Sequence, residues 1–286
     1  MRGGGALVGL LVVASLAGCG SESTSGAEAD PEATPSVSAA PSLADLGGDN
    51  AFAVRDTLIG SIETAGRVRA SVTGLPGTTT LDLVHDSTKD RFARRFTWDE
   101  AGETREVMQL GSGQVCVNLP AARALQAAGN NVMGAVVGSD RPYSCSARGD
   151  SSVAGFVMFG NGLRDPVTRL GGLMGDLSVT DLGVEEEGDQ PPTRHVRLAA
   201  EETNASMRPV PTTWDLWVDG ELRLVRADFT SLSEDGAVHS AQLDYEAEVP
   251  AVTRPADSGS LGFQAGTGVP GVGGYLASQF GTSPPQ

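Results

Sequence analysis

The side chains that could carry chemistry are few and far apart in this sequence. The three histidines, His85, His195 and His239, lack the spacing of metal ligands, which favours ordinary histidines on strands. Ser151 follows a Gly-Asp pair, but no Gly-x-Ser-x-Gly elbow and no suitably placed base accompany it. The acidic run at 185–189 is typical of a solvated turn rather than of a cation site. We therefore expect no enzyme activity, no metal site and no cofactor.

The first of the three cysteines, Cys19, ends a segment that is organised like an export signal. Arg2 is positive, and residues 6–16 are apolar but too few to span a bilayer as a permanent helix. The string Leu16-Ala17-Gly18-Cys19 resembles the bacterial lipobox, which implies cleavage before Cys19 and attachment of a diacylglyceryl group to its thiol. Two acyl chains suffice for stable anchoring, so we expect a protein held by Cys19 at the outer face of the cell membrane. The alternative is an ordinary secretory signal with a chance cysteine.

The other two cysteines, Cys116 and Cys145, form an even pair in a chain expected to be exported. Oxidising compartments favour disulfides, so the sequence predicts that these two residues are bonded to each other. Closing a loop of about 30 residues contributes on the order of 3.5 kcal/mol in the chain-entropy model. Two unrelated free thiols are the alternative.

Charge and composition limit the partners and divide the chain. With 36 acidic and 20 basic residues, the formal charge of −16 argues against nucleic acid and against attraction to anionic membrane surfaces. Glycine, proline and serine are concentrated near the two ends, where large apolar residues are rare. We therefore predict a signal peptide at 1–18, a disordered tether at 19–48, a folded domain at 49–255 and a disordered tail at 256–286.

Strand patterns dominate the predicted domain. A helix at 50–65, capped by Asp49 or Asn50, precedes a series of short alternating runs joined by turns. The clearest alternation lies at 237–249, and Asp219-Gly220 predicts a hairpin. Two helical segments, 121–137 and 165–177, interrupt the strands, and Asp165 before Pro166 is expected to cap the second. Short turns between strands favour an antiparallel meander, and therefore an α+β protein with one curved sheet.

Three strings in the second half of the chain carry a family resemblance. They are Asp165-Pro166 with Leu170, Leu173-Met174 and Leu177, the strand Thr193-Arg194-His195-Val196-Arg197-Leu198, and the hairpin Trp214-Asp215-Leu216-Trp217-Val218-Asp219-Gly220. Together with the lipobox, they are similar to the LppX/LprA/LprF/LprG lipoproteins of actinobacteria, which share a fold with the LolA/LolB carriers. The resemblance spans roughly 50–250. It implies a strongly curved antiparallel half-barrel with helices covering its concave face.

The same resemblance implies a function. A half-barrel of this kind holds acyl chains, so the expected ligand is an acylated lipid or glycolipid bound in an apolar cavity. The alternative is a non-enzymatic interaction module of the cell envelope, with the same fold and no ligand. The resemblance indicates no particular protein partner.

The helical segments at 121–137 and 165–177 are predicted to close over the concave face with their apolar sides. Gly129-Asn130-Asn131 weakens the first segment and Gly171-Gly172 the second, because glycine costs about 1 kcal/mol against alanine in a helix. A lid that opens could use this weakness; alternatively, the glycines allow close packing on the sheet. The predicted cavity residues are Val132, Met133, Val136, Leu170, Leu173 and Met174, with Phe156 and Phe159 beneath them.

Overall fold

The computed structural model describes residues 39–74, 80–88, 93–129, 135–149, 153, 157, 165–188, 190–203, 208–230, 232 and 236–264. The helices are α1 (Leu43–Leu46), α2 (Ala51–Ala65), α3 (Leu119–Gly129) and α4 (Pro166–Gly171). The strands are β1 (Arg67–Thr73), β2 (Thr80–Asp86), β3 (Ala93–Glu100), β4 (Glu103–Gln109), β5 (Val115–Asn118), β6 (Ala135–Val137), β7 (Tyr143–Cys145), β8 (Ser178–Glu185), β9 (Thr193–Thr203), β10 (Pro209–Val218), β11 (Leu224–Thr230), β12 (Val238–Asp244), β13 (Ser258–Ser260) and β14 (Gly262–Gln264).

Twelve of the strands form one large curved sheet. Their order is β13-β7-β5-β4-β3-β2-β1-β12-β11-β10-β9-β8, and every pairing except the parallel β13–β7 pair is antiparallel. Because most neighbours in the sheet are also neighbours in sequence, short turns can connect them. The predicted α+β class with a strongly curved antiparallel sheet is confirmed.

The main hydrophobic core lies on one face of this sheet, which we call the inner face. Alternate side chains point to it from most strands, as Ala241 and Leu243 do from β12. Helix α2 covers part of the inner face and contributes Val54, Leu58 and Ile62 to the core. Its predicted start is confirmed, because the Asn50 side chain accepts hydrogen bonds from the backbone N–H groups of the first turn.

The strand predicted at 237–249 ends earlier than expected, at Asp244. The carboxylate of Asp244 accepts hydrogen bonds from the backbone N–H groups of Glu246 and Ala247, at 2.9 and 3.0 Å. This local bonding turns the chain away from the sheet. The hydrophobic alternation alone did not reveal the turn.

The segment predicted as a helix over 121–137 has two different structures. Helix α3 ends at Gly129, whereas residues 135–137 form β6, which pairs antiparallel with β14. The second predicted helix, 165–177, is also shorter, since α4 ends at Gly171 with Gly172 as its cap. Pairing with a distant strand and the glycine cap overrode the helical spacing of the apolar residues.

Ordered elements extend past both ends of the range 49–255. Helix α1 precedes it, and Leu46 at the end of α1 is fully buried in the core. After residue 255, β13 pairs with β7 and β14 pairs with β6. Leu261, which lies between β13 and β14, is 4% exposed. A few leucines in otherwise polar or glycine-rich segments fix both stretches to the core, and composition does not reveal them.

A second, smaller hydrophobic cluster lies on the opposite, outer face of the sheet. It contains Cys116 and Cys145, which are paired across β5 and β7 with their sulfur atoms 2.09 Å apart, at disulfide distance. The C-terminal chain covers part of this cluster through Val249 and Val252. Asp86 fixes that covering segment by accepting a hydrogen bond from the backbone N–H of Val252 at 3.0 Å.

Candidate ligand-binding site

The inner face beneath α4 contains the best-described part of the predicted cavity. Leu170 is fully buried in the core, and Leu173, just after the helix, is 1% exposed. Met174 was predicted to lie beside them, but it is 68% exposed. The helix ends at Gly171, so the spacing that would have turned Met174 inward no longer applies.

The other predicted cavity residues lie in, or next to, parts of the chain that the structure does not describe. Val136 belongs to strand β6 and not to a helix. Val132, Met133, Phe156 and Phe159 lie outside the described residues. In the apolar run that contains the two phenylalanines, Val153 and Val157 have helical backbone and are buried in the main core.

The N-terminal end of α4 is fixed by a buried group that we call the Asp165 cluster: Asp165, His85, Arg94 and Thr168. Asp165 caps the helix as predicted, with Oδ1 accepting from the Val167 N–H at 3.0 Å. The same oxygen lies 2.9 Å from His85 Nε2 on β2, while Oδ2 accepts from Arg94 Nη1 on β3 at 2.7 Å and from Thr168 Oγ1 at 2.6 Å. Each carboxylate oxygen therefore has two partners.

The electrostatics of the Asp165 cluster favour the ionised carboxylate. Burial by itself raises the pKa of Asp165. The charge and hydrogen bond of His85, the charge of Arg94 and the hydrogen bond from Thr168 outweigh burial and hold this pKa well below its usual range. The cluster is thus a closed set of charges around one anion.

One turn further along α4 lies a second polar group, the Arg169 cluster: Arg169, Glu202, Trp214 and Phe229. Arg169 donates from Nε and Nη2 to the two carboxylate oxygens of Glu202 on β9, at 2.8 and 2.6 Å. Its guanidinium carbon lies 5.0 Å from the ring centre of Trp214 and 5.4 Å from that of Phe229. The two rings stack on each other with centres 4.6 Å apart, so a charged pair lies directly against aromatic core.

Helix α4 therefore connects strands that are distant within the sheet. From β2 to β9 there are five strand positions, about 24 Å along a flat sheet. Asp165 and Arg169 are separated by only four residues, about 6 Å of helix. Curvature of the sheet toward α4 brings both sides within reach of this short helix. On its other side, α4 packs against α2, where Arg55 Nη1 donates to the Leu173 carbonyl.

The glycines of α4 differ in their surroundings. A Cβ built on Gly171 would lie 3.8 Å from Ile59 Cδ1 of α2, an ordinary van der Waals distance. A Cβ on Gly172 would lie 3.3 Å from the Thr168 carbonyl oxygen, a tight contact. Close packing therefore does not require glycine at 171. At Gly172 the φ angle of −84° suits any residue, and only the nearby Thr168 carbonyl restricts a side chain.

The remaining histidine with carboxylate neighbours lies on the outer face. His195 Nδ1 is 2.6 Å from Glu185 Oε1, and its ring stacks on Trp217 with centres 4.2 Å apart. Trp217 Nε1 donates to Glu185 at 2.7 Å, and this hydrogen bond contributes most to lowering the pKa of Glu185. Within the described residues, no three His, Cys, Asp or Glu side chains are placed to hold a metal ion. Ser151 lies outside those residues.

Sequence reasoning missed the Arg169 cluster, although one signal for it was present. On β9, Val196, Leu198 and Ala200 alternate toward the core, and Glu202 continues the same alternation. A carboxylate at an inward position requires a buried cationic partner. The sequence does not identify Arg169 as that partner, because the two residues are 33 positions apart and only the fold brings them together.

Comparisons with known proteins establish no family for this chain. No family model and no curated protein matches it. Among solved structures, MucB is similar with 12% identity and a TM-score of 0.36, over 73% of this chain and 62% of MucB. MucB in a complex with MucA(peri) has 13% sequence identity and a TM-score of 0.36, over 74% of this chain and 61% of that one. The LolA superfamily protein NE2245 from Nitrosomonas europaea has 13% sequence identity and a TM-score of 0.29, over 66% of this chain and 91% of that one.

These similarities are too weak to carry a function, and the chain spans only about 62% of MucB. The resemblance to LppX-type lipoproteins stays a prediction. Among the described helices, none is both long enough and apolar enough to cross a membrane.

Proposed function

We propose that this protein is an exported lipoprotein that binds the acyl chains of a lipid or glycolipid between its curved sheet and helices α2 and α4. Its chemistry is non-covalent burial of apolar surface, so no catalytic group is required. Cys19, which lies outside the described residues, would anchor the protein to the outer face of the cell membrane through its own two acyl chains.

The observation that carries the proposal is the construction of α4. This helix has only six residues, too few to be stable without tertiary contacts. Leu170 in the helix and Leu173 just after it nevertheless complete the core over the inner face, and side-chain bonds to β2, β3 and β9 hold the helix in place. We infer that such a cover can open at its Arg169 end, while the Asp165 cluster keeps its N-terminal end attached to the sheet.

A substitution at Leu170 tests the proposal. Leu170→Trp adds bulk at a fully buried position beneath α4, so a fluorescent long-chain acyl probe should bind the full-length variant roughly tenfold more weakly. Met174→Trp is the matched control, since Met174 is 68% exposed and follows the same helix. It should leave probe binding unchanged.

Thermal unfolding of both variants shows whether the fold is retained, and Leu170→Phe replaces Leu170→Trp if the larger ring unfolds the domain. Absence of probe binding by the wild type would reject the proposal. Full binding by Leu170→Trp at unchanged stability would reject it as well.

One observation favours the interaction module as a second candidate. Strand β8 is at the edge of the large sheet, and it exposes Leu182 and Val184 at 42% and 50%. An exposed edge strand can pair with an extended segment of another protein. If the module is correct, Leu182→Lys should reduce cross-linking of the full chain to neighbouring envelope proteins without changing acyl-probe binding.

A further inference from the structure

Two buried hydrogen-bond donors of the Arg169 cluster have no acceptor among the residues that the structure describes. Trp214 is fully buried, and its indole Nε1–H is unpaired. Arg169, with a side chain only 8% exposed, uses Nε and Nη2 on Glu202, whereas its Nη1 is buried without an acceptor. Because the guanidinium lies against the indole ring, both donors belong to the same part of the interior.

An unsatisfied buried donor is unusual, because it loses its hydrogen bond to water on folding without gaining another. The two other tryptophans illustrate the ordinary situation. Trp98 Nε1 donates to Glu100 at 3.1 Å, and Trp217 Nε1 donates to Glu185 at 2.7 Å. Trp214 and Arg169 would both be satisfied by one occupant that offers acceptor oxygens and no competing donors.

The charge of the cluster restricts what that occupant is. Glu202 already compensates the positive charge of Arg169 through two hydrogen bonds, so the pair is neutral. A buried carboxylate or phosphate would add an uncompensated negative charge near Glu202. One other titratable side chain, His239, contacts this ring pair. Its ring centre lies 5.4 Å from that of Phe229, and its Nδ1 is hydrogen-bonded to the Gly74 carbonyl. A neutral acceptor oxygen therefore fits this place better than an anion.

The surroundings fit the remainder of an acyl ligand. The cross-strand neighbours of Trp214 are Leu198 on β9 and Phe229 on β11, and both are buried in the main core. Leu170 and Leu173 cover the same interior from α4. A chain lying along these residues would bring a polar group at its end against the two donors.

We propose that Trp214 Nε1 and Arg169 Nη1 bind the ester carbonyl oxygens of an acyl ester. This inference rests on the proposed acyl-chain binding and adds the class of the ligand. Esters present neutral acceptor oxygens and no donors, which matches both the donor pair and the neutral charge. A free fatty acid would bring a carboxylate, and an ether lipid would bring no carbonyl.

The test compares two probes of equal chain length on the full chain: a didecanoylglycerol, which carries ester carbonyls, and the matching didecyl glycerol ether. Wild-type protein should bind the ester about two- to tenfold more tightly for each net hydrogen bond that its carbonyl oxygens accept. Trp214→Phe removes the indole N–H together with part of the ring volume, so the readout is the ratio of the two affinities, and this preference for the ester should fall. Trp217→Phe is the control on the outer face and should change neither affinity.

A second measurement avoids dependence on how the variant folds. The indole ¹⁵N–¹H resonance of Trp214 in the wild-type chain should shift when the ester binds and should shift less with the ether. Binding of neither probe would reject the proposed function itself. Equal binding of ester and ether, with no difference at the Trp214 resonance, would reject the ester site alone and assign the donors to an ordered water.

Discussion

The two polar clusters at either end of α4 lie in the same interior and differ in how fully they are satisfied. In the Asp165 cluster, one carboxylate receives four hydrogen bonds from three side chains and one backbone N–H. In the Arg169 cluster, the ion pair with Glu202 is complete, but Arg169 Nη1 and Trp214 Nε1 have no acceptor among the described residues. We call the first cluster closed because its central carboxylate is fully hydrogen-bonded, and the second open because these two donors remain.

The difference separates a structural role from a binding role. A buried carboxylate whose oxygens all have partners cannot accept a further hydrogen bond from a ligand. Removing its charge leaves the charges of its partners buried without compensation. A neutral pair with spare donors costs the empty protein stability and recovers that stability when an acceptor arrives. Helix α4 is therefore fixed at its N-terminal end, and the proposed function assigns the spare donors near Arg169 to a ligand.

The largest expected effect comes from opening the closed cluster. Asp165→Asn keeps the size of the side chain but removes the anion that His85 and Arg94 contact, so we expect the free energy of unfolding to fall by about 3–5 kcal/mol. Chemical denaturation measures this loss. The control is Asp181→Asn on the edge strand, where an ion pair with Arg194 is partly exposed and should contribute about 0–1 kcal/mol. Equal effects of the two substitutions would contradict the distinction between the clusters.

The next effect tests a part of the molecule remote from both clusters. The cysteines on the outer face are 29 residues apart in sequence, so replacing both with serine should lower stability by on the order of 3.5 kcal/mol if they are bonded. Acyl-probe binding should remain unchanged, since Cys116 and Cys145 lie on the face opposite α4. Alkylation of both thiols in the untreated native protein would refute the disulfide.

Acid should weaken the closed cluster selectively. The pKa of Asp165 is lowered in the folded state, so below about pH 4 the unfolded chain binds the proton more readily than the folded one. The stabilising contribution of Asp165 is fully present above the unfolded-state pKa of about 3.9 and is lost progressively as the pH falls below it. Wild type should therefore lose stability below pH 4 more steeply than Asp165→Asn. If the stability of wild type and of Asp165→Asn falls equally with pH, Asp165 is not the group responsible.

The smallest effect concerns the helix that joins the clusters. Gly171→Ala introduces a methyl group at an ordinary contact distance from Ile59, so it should stabilise the protein by about 0.5–1 kcal/mol through helix propensity. If α4 opens to admit the ligand, release of the acyl probe should become slower in this variant. Stopped-flow displacement measures that rate. Stabilisation without any change in the release rate would argue that α4 does not move.

The sequence predicted the parts of this fold that depend on local patterns. Alternation predicted most of β12, and a polar side chain before an apolar run predicted Asn50 and Asp165 as helix caps. It did not predict β6, because that strand exists through pairing with β14, more than a hundred residues later in a glycine-rich segment. Local helical spacing was therefore misleading in that segment.

The candidate site was predictable only in its apolar half. Leu170 and Leu173 followed from their spacing, since both continue one apolar stripe. The polar half depends on contacts between α4 and strands on both sides of the sheet, and no local pattern specifies Arg94 or Glu202 as partners. Met174 was misplaced for a related reason, because the end of α4 at its glycine cap changes the direction of the next residues.

Mass spectrometry of the full chain, purified in mild detergent from the organism that makes it, tests the central claim most directly. Denaturing spectra report the covalent diacylglyceryl group expected on Cys19, whereas native spectra also retain ligand held in the interior. We predict an additional mass in the native spectrum that disappears on denaturation and is reduced in Leu170→Trp but not in Met174→Trp. Identical masses under native and denaturing conditions, with an acyl probe that also fails to bind, would contradict the account.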